Sequence, residues 1–254
     1  MIGWELGLLI LLVAFFAEYI DSTLGMGYGT TIAAILLIMG FTPLQAVPAV
    51  LLSNVIAGLF AALMHHHVGN VNFNWGSRSL TVAILLALCG VFGVLVATYL
   101  AVMLPPEYVS IYIGIVVALM GVLIIFGHKI RSTFSWLKIG VLGLVAAFNK
   151  GISGGGYGPL VVGGQILAGI DSKKAVAITT LAEGITSVAA VSLYFAVNGI
   201  VGWELAPWLI VGSVCSVPFS AHTVKRIDSG NLMVYIGGAT LLLGLFTIYR
   251  VLSG

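Results

Sequence analysis

The sequence predicts an all-α, polytopic membrane protein built from two repeats, and three observations carry that prediction. Of its 254 residues, 60% are hydrophobic and 7% are charged, whereas soluble domains carry about 25% charged residues. Several uninterrupted apolar stretches approach or exceed the roughly 20 residues that span about 30 Å of hydrocarbon. The third observation is internal similarity. A shift of 129 residues places Gly25, Gly27, Tyr28 and Gly29 on Gly154, Gly156, Tyr157 and Gly158, Gly40 on Gly169, and Ala46-Val47 on Ala175-Val176. One gap-free offset is the mark of a two-repeat membrane fold with a pseudo-two-fold axis. The first repeat takes 1–128 and the second 129–254, within a single compact transmembrane domain.

Each half reads as five apolar segments: 4–20, 28–40, 44–66, 79–104 and 108–127, then 138–149, 156–169, 173–197, 204–222 and 231–250. The first two of each half are short. Ile139–Phe148 makes about 15 Å of helix, half the hydrocarbon core. Each short pair is therefore expected to form a hairpin of half-length helices, entering and leaving on one side, with its bend near the bilayer midplane. The remaining three segments of each half are full crossings.

Charge placement agrees. With the loop carrying Lys129, Arg131 and Lys138 on the cytoplasmic side, hairpins that return to their own side also put Arg78, Lys173, Lys174, Lys225 and Arg226 there, leaving only Arg250 outside. If each short pair were one broken crossing, Lys173, Lys174, Lys225 and Arg226 would move outside. Ten full crossings give the same sidedness as the hairpins. An odd number of crossings per half inverts the repeats and places both termini outside a cell membrane.

The chemistry lies at the two bends, Ser22–Gly29 and Gly151–Gly158. Non-helical backbone at membrane depth must be buried in protein or line a wet cavity. Each bend precedes a helix whose first turn carries free N–H groups and about half a positive charge. Two such ends facing each other suit an anion. Lys150, Ser22, Thr23, Gly25, Gly27, Tyr28, Gly29, Ser153, Gly154, Gly155, Gly156 and Tyr157 are the candidate substrate-binding residues, with Thr30 and Thr31 as further hydroxyl donors. The bland alternative is that the glycines serve helix packing and the hydroxyls serve capping.

Charges inside the membrane are costly and point to function. Lys150 is the repeat counterpart of Asp21, so a structural Lys150–Asp21 ion pair stands beside the substrate-binding reading. Glu183 is the counterpart of Asn54, and Glu18 lies on the first short helix. Glu183, Glu18, Asp21 and Asn54 are candidates for proton coupling or gating, against the alternative of neutral structural carboxyls.

Other features carry less. His65-His66-His67 project about 100° apart on a helix and do not converge on one metal, so they read as a solvated helix end. Trp4, Trp75, Trp136, Trp203 and Trp208 read as interfacial anchors, and Cys89 and Cys215 as small buried hydrophobes. Residues 151–154 match a Gly-x-Ser-Gly pattern of intramembrane serine proteases, but no histidine lies at clear mid-membrane depth to serve as a base. The chain is not expected to be an enzyme, to hold a metal or cofactor, or to bind nucleic acid.

Gly154-Gly155-Gly156-Tyr157-Gly158-Pro159 with Ala175 and Thr179-Thr180, and Phe16-Ala17-Glu18-Tyr19-Ile20-Asp21-Ser22 through Gly29, resemble the two half-motifs of the sulfite exporter TauE/SafE family, within the toluene sulfonate uptake permease superfamily. The first half departs from the triple-glycine form, with Met26 and Tyr28 between glycines. The resemblance implies transport of sulfite, a sulfonate or a related small anion. The expectation is a secondary transporter working by alternating access, in the export direction, coupled to protons and free to form homo-oligomers. A passive anion channel and a cation carrier using the intramembrane carboxylates are the rivals.

Overall fold

The computed structural model describes residues 3–41, 43–101, 115, 118–119, 122, 125–126, 134–153, 157–198 and 204–252. The described elements are α-helices: α1 (Trp4–Leu24), α2 (Tyr28–Ile38), α3 (Pro43–Val68), α4 (Arg78–Ala101), α5 (Trp136–Ser153), α6 (Tyr157–Leu167), α7 (Ser172–Asn198), α8 (Ala206–Arg226) and α9 (Ser229–Leu252). The expected fifth crossing, 108–127, lies largely outside the described residues.

Local chemistry sets the boundaries. Gly25 ends α1 in the left-handed region at φ 76°, with its N–H returned to the Asp21 carbonyl, a conformation open to glycine at little cost. Ser77 caps α4 by accepting the Leu80 N–H at 3.2 Å. Asp171 caps α7, accepting the N–H groups of Lys173 and Lys174 at 3.1 and 3.4 Å. Asp228 does the same for α9, from Gly230 and Asn231 at 2.8 and 3.4 Å. Pro43 stands at the first position of α3, where its missing N–H removes nothing.

Four helical stretches, Trp4–Leu24, Pro48–Val68, Arg78–Ala97 and Ser172–Ala196, are each long and apolar enough to cross a bilayer. On α1, Leu9, Leu12, Phe16 and Ile20 recur at helical spacing and are all at least half exposed. An apolar outer stripe of this kind suits lipid, not water. Together these features make the chain an all-α polytopic membrane protein.

Both hairpins turn back on themselves. Trp4 meets Trp208 edge-on at 5.5 Å, and Tyr19 Oη lies 2.9 Å from Thr223 Oγ1, so α1 runs parallel to α8 along most of its length. Met39 and Phe41, just past α2, pack against the buried cluster that holds Ile10 of α1 and Leu205 and Leu209 at the start of α8. α2 thus returns to the end where α1 began. In the second half, the Arg78 guanidinium sits 3.7 Å over the ring of Phe134, just ahead of α5, and shares a pocket with Gly169 and Ile170, just past α6. α6 returns to the end where α5 began. α2 and α6 have 11 residues each, about 16 Å of helix, too short to cross. Lys173 Nζ at the start of α7 donates to the Lys225 carbonyl at the end of α8, at 2.9 Å. The two hairpins therefore open at opposite ends of α8. Arg78, Lys173, Lys174 and Lys225 gather at one end.

Several expectations are corrected. The first arms are not half-length: α1 has 21 residues and α5 has 18. Both helices continue through polar residues (Glu18, Asp21, Ser22, Thr23; Asn149, Lys150, Ser153) where the apolar runs stop. As a result, the first bend overshoots mid-depth. Met26 shares a buried cluster with Ala175 and Val176 in the opening turns of α7 and Val224 in the last turn of α8. The histidine run is likewise not uniformly solvated. His65 is fully buried, because residues 100° apart on one helix face different surroundings. Cys215 is exposed and Cys89 partly so, and Trp203 lies outside the described residues.

Between the halves, backbones approach closely. A methyl group at Gly158 would meet the Gly25 carbonyl oxygen, and one at Gly58 would meet Gly184. Small residues at crossings allow this contact.

Candidate functional site

The polar residues preceding the bends converge at mid-bundle. Glu18 and Asp21 of α1, Asn54 and Gly58 of α3, and Thr180 and Glu183 of α7 line one hollow. Its volume open to water centres is about 10 Å³, room for roughly one water. Glu18, Asp21 and Asn54 are each more than nine-tenths buried, and Asn54 has no hydrogen-bond partner among the described residues. Four of the expected site residues thus form one cluster. Thr180 joins them, one turn before Glu183 on the same face.

Lys150 is 95% buried. Its Nζ donates to Glu183 Oε1 at 3.0 Å and to Ser187 Oγ at 3.0 Å, and it lies 5.4 Å from the centre of the Tyr157 ring. The buried ion pair that forms is therefore Lys150–Glu183, within the second half. Ser187 escaped the sequence reading, although it stands one turn beyond Glu183 in a polar stripe with Thr179, Thr180 and Thr186.

Asp21 has another task. Its Oδ1 accepts the Tyr28 N–H at 3.0 Å, so a carboxylate of the chain itself occupies the N-terminus of α2. An anion at a helix start is favourable for the same reason an anionic ligand would be. Ser22 Oγ donates to Glu18 Oε1 at 2.9 Å. The Tyr28 hydroxyl joins Ser53 and Ser213 at 2.8 and 2.9 Å. Thr23 is buried, and its hydroxyl has no partner among the described residues. Gly25 and Gly27 carry the bend at φ 76° and 115°, and Gly29 sits partly buried in the first turn of α2. Ser153 ends α5, while Gly154, Gly155 and Gly156 lie outside the described residues.

His65 fixes the first bend from below. Asn70 Nδ2 donates both to the Ala221 carbonyl at 2.8 Å and to His65 Nδ1 at 2.9 Å. With Nδ1 accepting, the ring proton is on Nε2, which donates to the Ser22 carbonyl at 3.1 Å. The imidazole is neutral and structural. Among the described residues, no group of His, Cys, Asp and Glu forms a metal centre.

The electrostatic pattern is thus asymmetric. Three carboxyl groups and an amide face the hollow, and one ammonium stands at its second-half edge. In apolar surroundings three carboxylates against one lysine leave two uncompensated negative charges, which protons or bound cations must balance. The site as folded is closed, since a polyatomic anion exceeds the space of one water.

Comparison with known proteins agrees with this architecture. The family model described as "Sulfite exporter TauE/SafE" matches residues 10–247. A curated relative, "Probable membrane transporter protein YtnM" of Bacillus subtilis (strain 168), is 26% identical over 253 residues, covering 93% of this chain and 80% of the relative. The match spans both hairpins, the hollow and all but the ends of the chain, and the chain accordingly belongs to the sulfite exporter TauE/SafE family of multi-pass membrane transporters.

Proposed function

We propose that this protein exports a small sulfur-containing anion, sulfite or a sulfonate, across the cell membrane by alternating access between two inverted repeats, 1–128 and 129–254. The inverted arrangement is supported by hairpins that open at opposite ends of α8. Both chain ends lie outside, with the Arg78, Lys173, Lys174 and Lys225 cluster in the cytoplasm.

One observation carries the binding reading: a buried lysine stands beside the N-terminus of α6, while the matching helix end in the first half is already filled by Asp21. The anion would bind at Lys150, Tyr157 and the Ser153–Gly156 backbone. To do so it takes the place of the Glu183 carboxylate on Lys150. Releasing Glu183 as an anion into the same hollow as Glu18 and Asp21 is costly, so Glu183 takes up a proton as substrate binds. Anion and proton therefore occupy the site together. Glu18, Asp21 and Asn54 complete the gate around them.

The test is substrate counterflow in proteoliposomes loaded with sulfite or a sulfonate. Wild-type protein should show counterflow that rises as pH falls, and Lys150→Ala should abolish it. Counterflow with either anion unchanged in Lys150→Ala removes the lysine from the mechanism. The carboxyl lining of the hollow favours a second reading, a cation carrier using Glu18, Asp21 and Glu183. Sodium-driven uptake without any anion dependence would establish that reading in place of the first.

A further inference from the structure

A second basic pocket lies away from the central hollow, at the end of the bundle where Lys173 meets Lys225. It is bounded by Arg78 and Ser79 in the first turn of α4, by Gly169 and Asp171 in the turn before α7, and by Lys174, over an apolar floor of Val82 and Ile178. Its volume open to water centres is about 170 Å³, enough for a polyatomic ion or the head of a lipid.

Its charges are uncommitted. Asp171, the one carboxylate on its wall, accepts the Lys173 and Lys174 N–H groups as the cap of α7. Neither Arg78 nor Lys174 has an ion-pair partner among the described residues. Arg78 is also held in place: its guanidinium carbon lies 3.7 Å from the centre of the Phe134 ring, and Phe134 is braced edge-on by Trp136 at 4.8 Å. A guanidinium engaged through its carbon on a ring can still direct N–H groups at an oxyanion, whose two oxygens its fork matches. Lys174 supplies a second positive charge on the same lining.

We infer that the Arg78–Lys174 pocket is a second anion site, which binds a single oxyanion group of the sulfite, sulfate or phosphate type outside the transport site. Two sources carry this chemistry. One is a free inorganic oxyanion awaiting entry. The other is the phosphate of an anionic lipid, which basic pockets between membrane helices commonly hold.

Two arms tell them apart, both in the Lys150→Met, Glu183→Gln background so that the central site does not contribute. The first is calorimetric titration of inorganic sulfate and sulfite into protein in phosphatidylcholine nanodiscs. The second is native mass spectrometry of phosphatidylglycerol retained on protein from mixed-lipid nanodiscs. Adding Arg78→Gln and Lys174→Gln should weaken one of the two by about tenfold or more, the loss expected for two charge-assisted contacts. Loss in the first arm identifies the free anion, and loss in the second identifies the lipid. Phe134→Leu, which keeps both charges and removes the brace, should weaken the same arm by a smaller factor. Lys174→Glu alone, at an exposed position, reads the same effect should the double variant fail to fold. Affinities within about twofold of the parent in both arms, for double and single variants alike, overturn the inference. The proposed transport function would stand regardless, because counterflow reads Lys150 and not this pocket.

Discussion

The two hairpins match in register, in glycine spacing and in the 11-residue length of their second arms, yet they end their first arms on opposite charges. In the first, Asp21 turns its carboxylate onto the Tyr28 N–H and fills the helix end from within. In the second, the same position is Lys150, which cannot cap a helix N-terminus and instead reaches across to Glu183 and Ser187. A helix start that suits an anion is filled by Asp21 in the first half, and in the proposed function its second-half counterpart beside Lys150 takes the substrate. Repeated backbone with unequal charge is how one symmetric scaffold yields a single site.

That contrast can be broken at four places. The largest effect is expected at Lys150. Lys150→Ala leaves Glu183 buried without its cation, and loss of one partner of a buried pair costs about 3–5 kcal/mol. The midpoint of heat-induced aggregation in detergent should fall accordingly. Lys150→Met combined with Glu183→Gln should recover most of that stability while leaving counterflow absent, which separates folding from transport.

Next is Gly158, where the hairpins touch. A methyl group there meets the Gly25 carbonyl oxygen, and overpacking of this kind costs about 1–3 kcal/mol. Gly158→Ala should lower thermal stability more than Gly3→Ala, whose added methyl meets nothing within 4 Å. Equal losses would mean that the bends do not bear on each other.

The Asp21 cap should give a smaller stability change. Asp21→Ala removes a helix N-cap worth about 1 kcal/mol, and the same measurement reads it. Lys150→Ala is expected to exceed it several-fold, and the reverse order would sink the proposed asymmetry.

The sharpest change in mechanism is expected from Glu183→Gln, which also leaves the buried Lys150 without its anion and should therefore cost stability on the scale of Lys150→Ala. The amide mimics the protonated carboxyl, so it should leave Lys150 free for substrate at every pH. In the proposed exchange a proton accompanies the anion, so wild-type binding of sulfite or sulfonate should strengthen as pH falls across the tested range. Glu183→Gln should bind over that range with a flat profile. Calorimetric titration at several pH values checks it, and a retained slope assigns the proton elsewhere.

Much of this was legible from the chain. The 129-residue offset placed both bends, and the lysine-rich turns identified one end of the bundle. Glu18, Asp21, Asn54, Lys150 and Glu183 stood out because charge or amide among apolar residues is expensive. Helix lengths were less legible, because counting apolar residues stops at the first polar ones, whereas α1 runs on through Glu18 and Asp21 once neighbouring helices bury them. The partner of Lys150 was not legible either. Pseudo-symmetry suggested Asp21, but the helix end at Tyr28 competed for that carboxylate, and the packing of both α5 and α7 against α4 brought Glu183 closer. His65 was hidden in a run of three identical residues, of which only packing selects the inward one.

By itself the sequence determined a membrane-embedded, twice-repeated helical chain with few ionisable groups at depth, because hydrophobicity and repetition are properties of order along the chain. Which charge meets which, how far each hairpin penetrates and where the hollow lies were decided only by the tertiary structure. Those depend on distances between segments more than a hundred residues apart, and no local pattern encodes them.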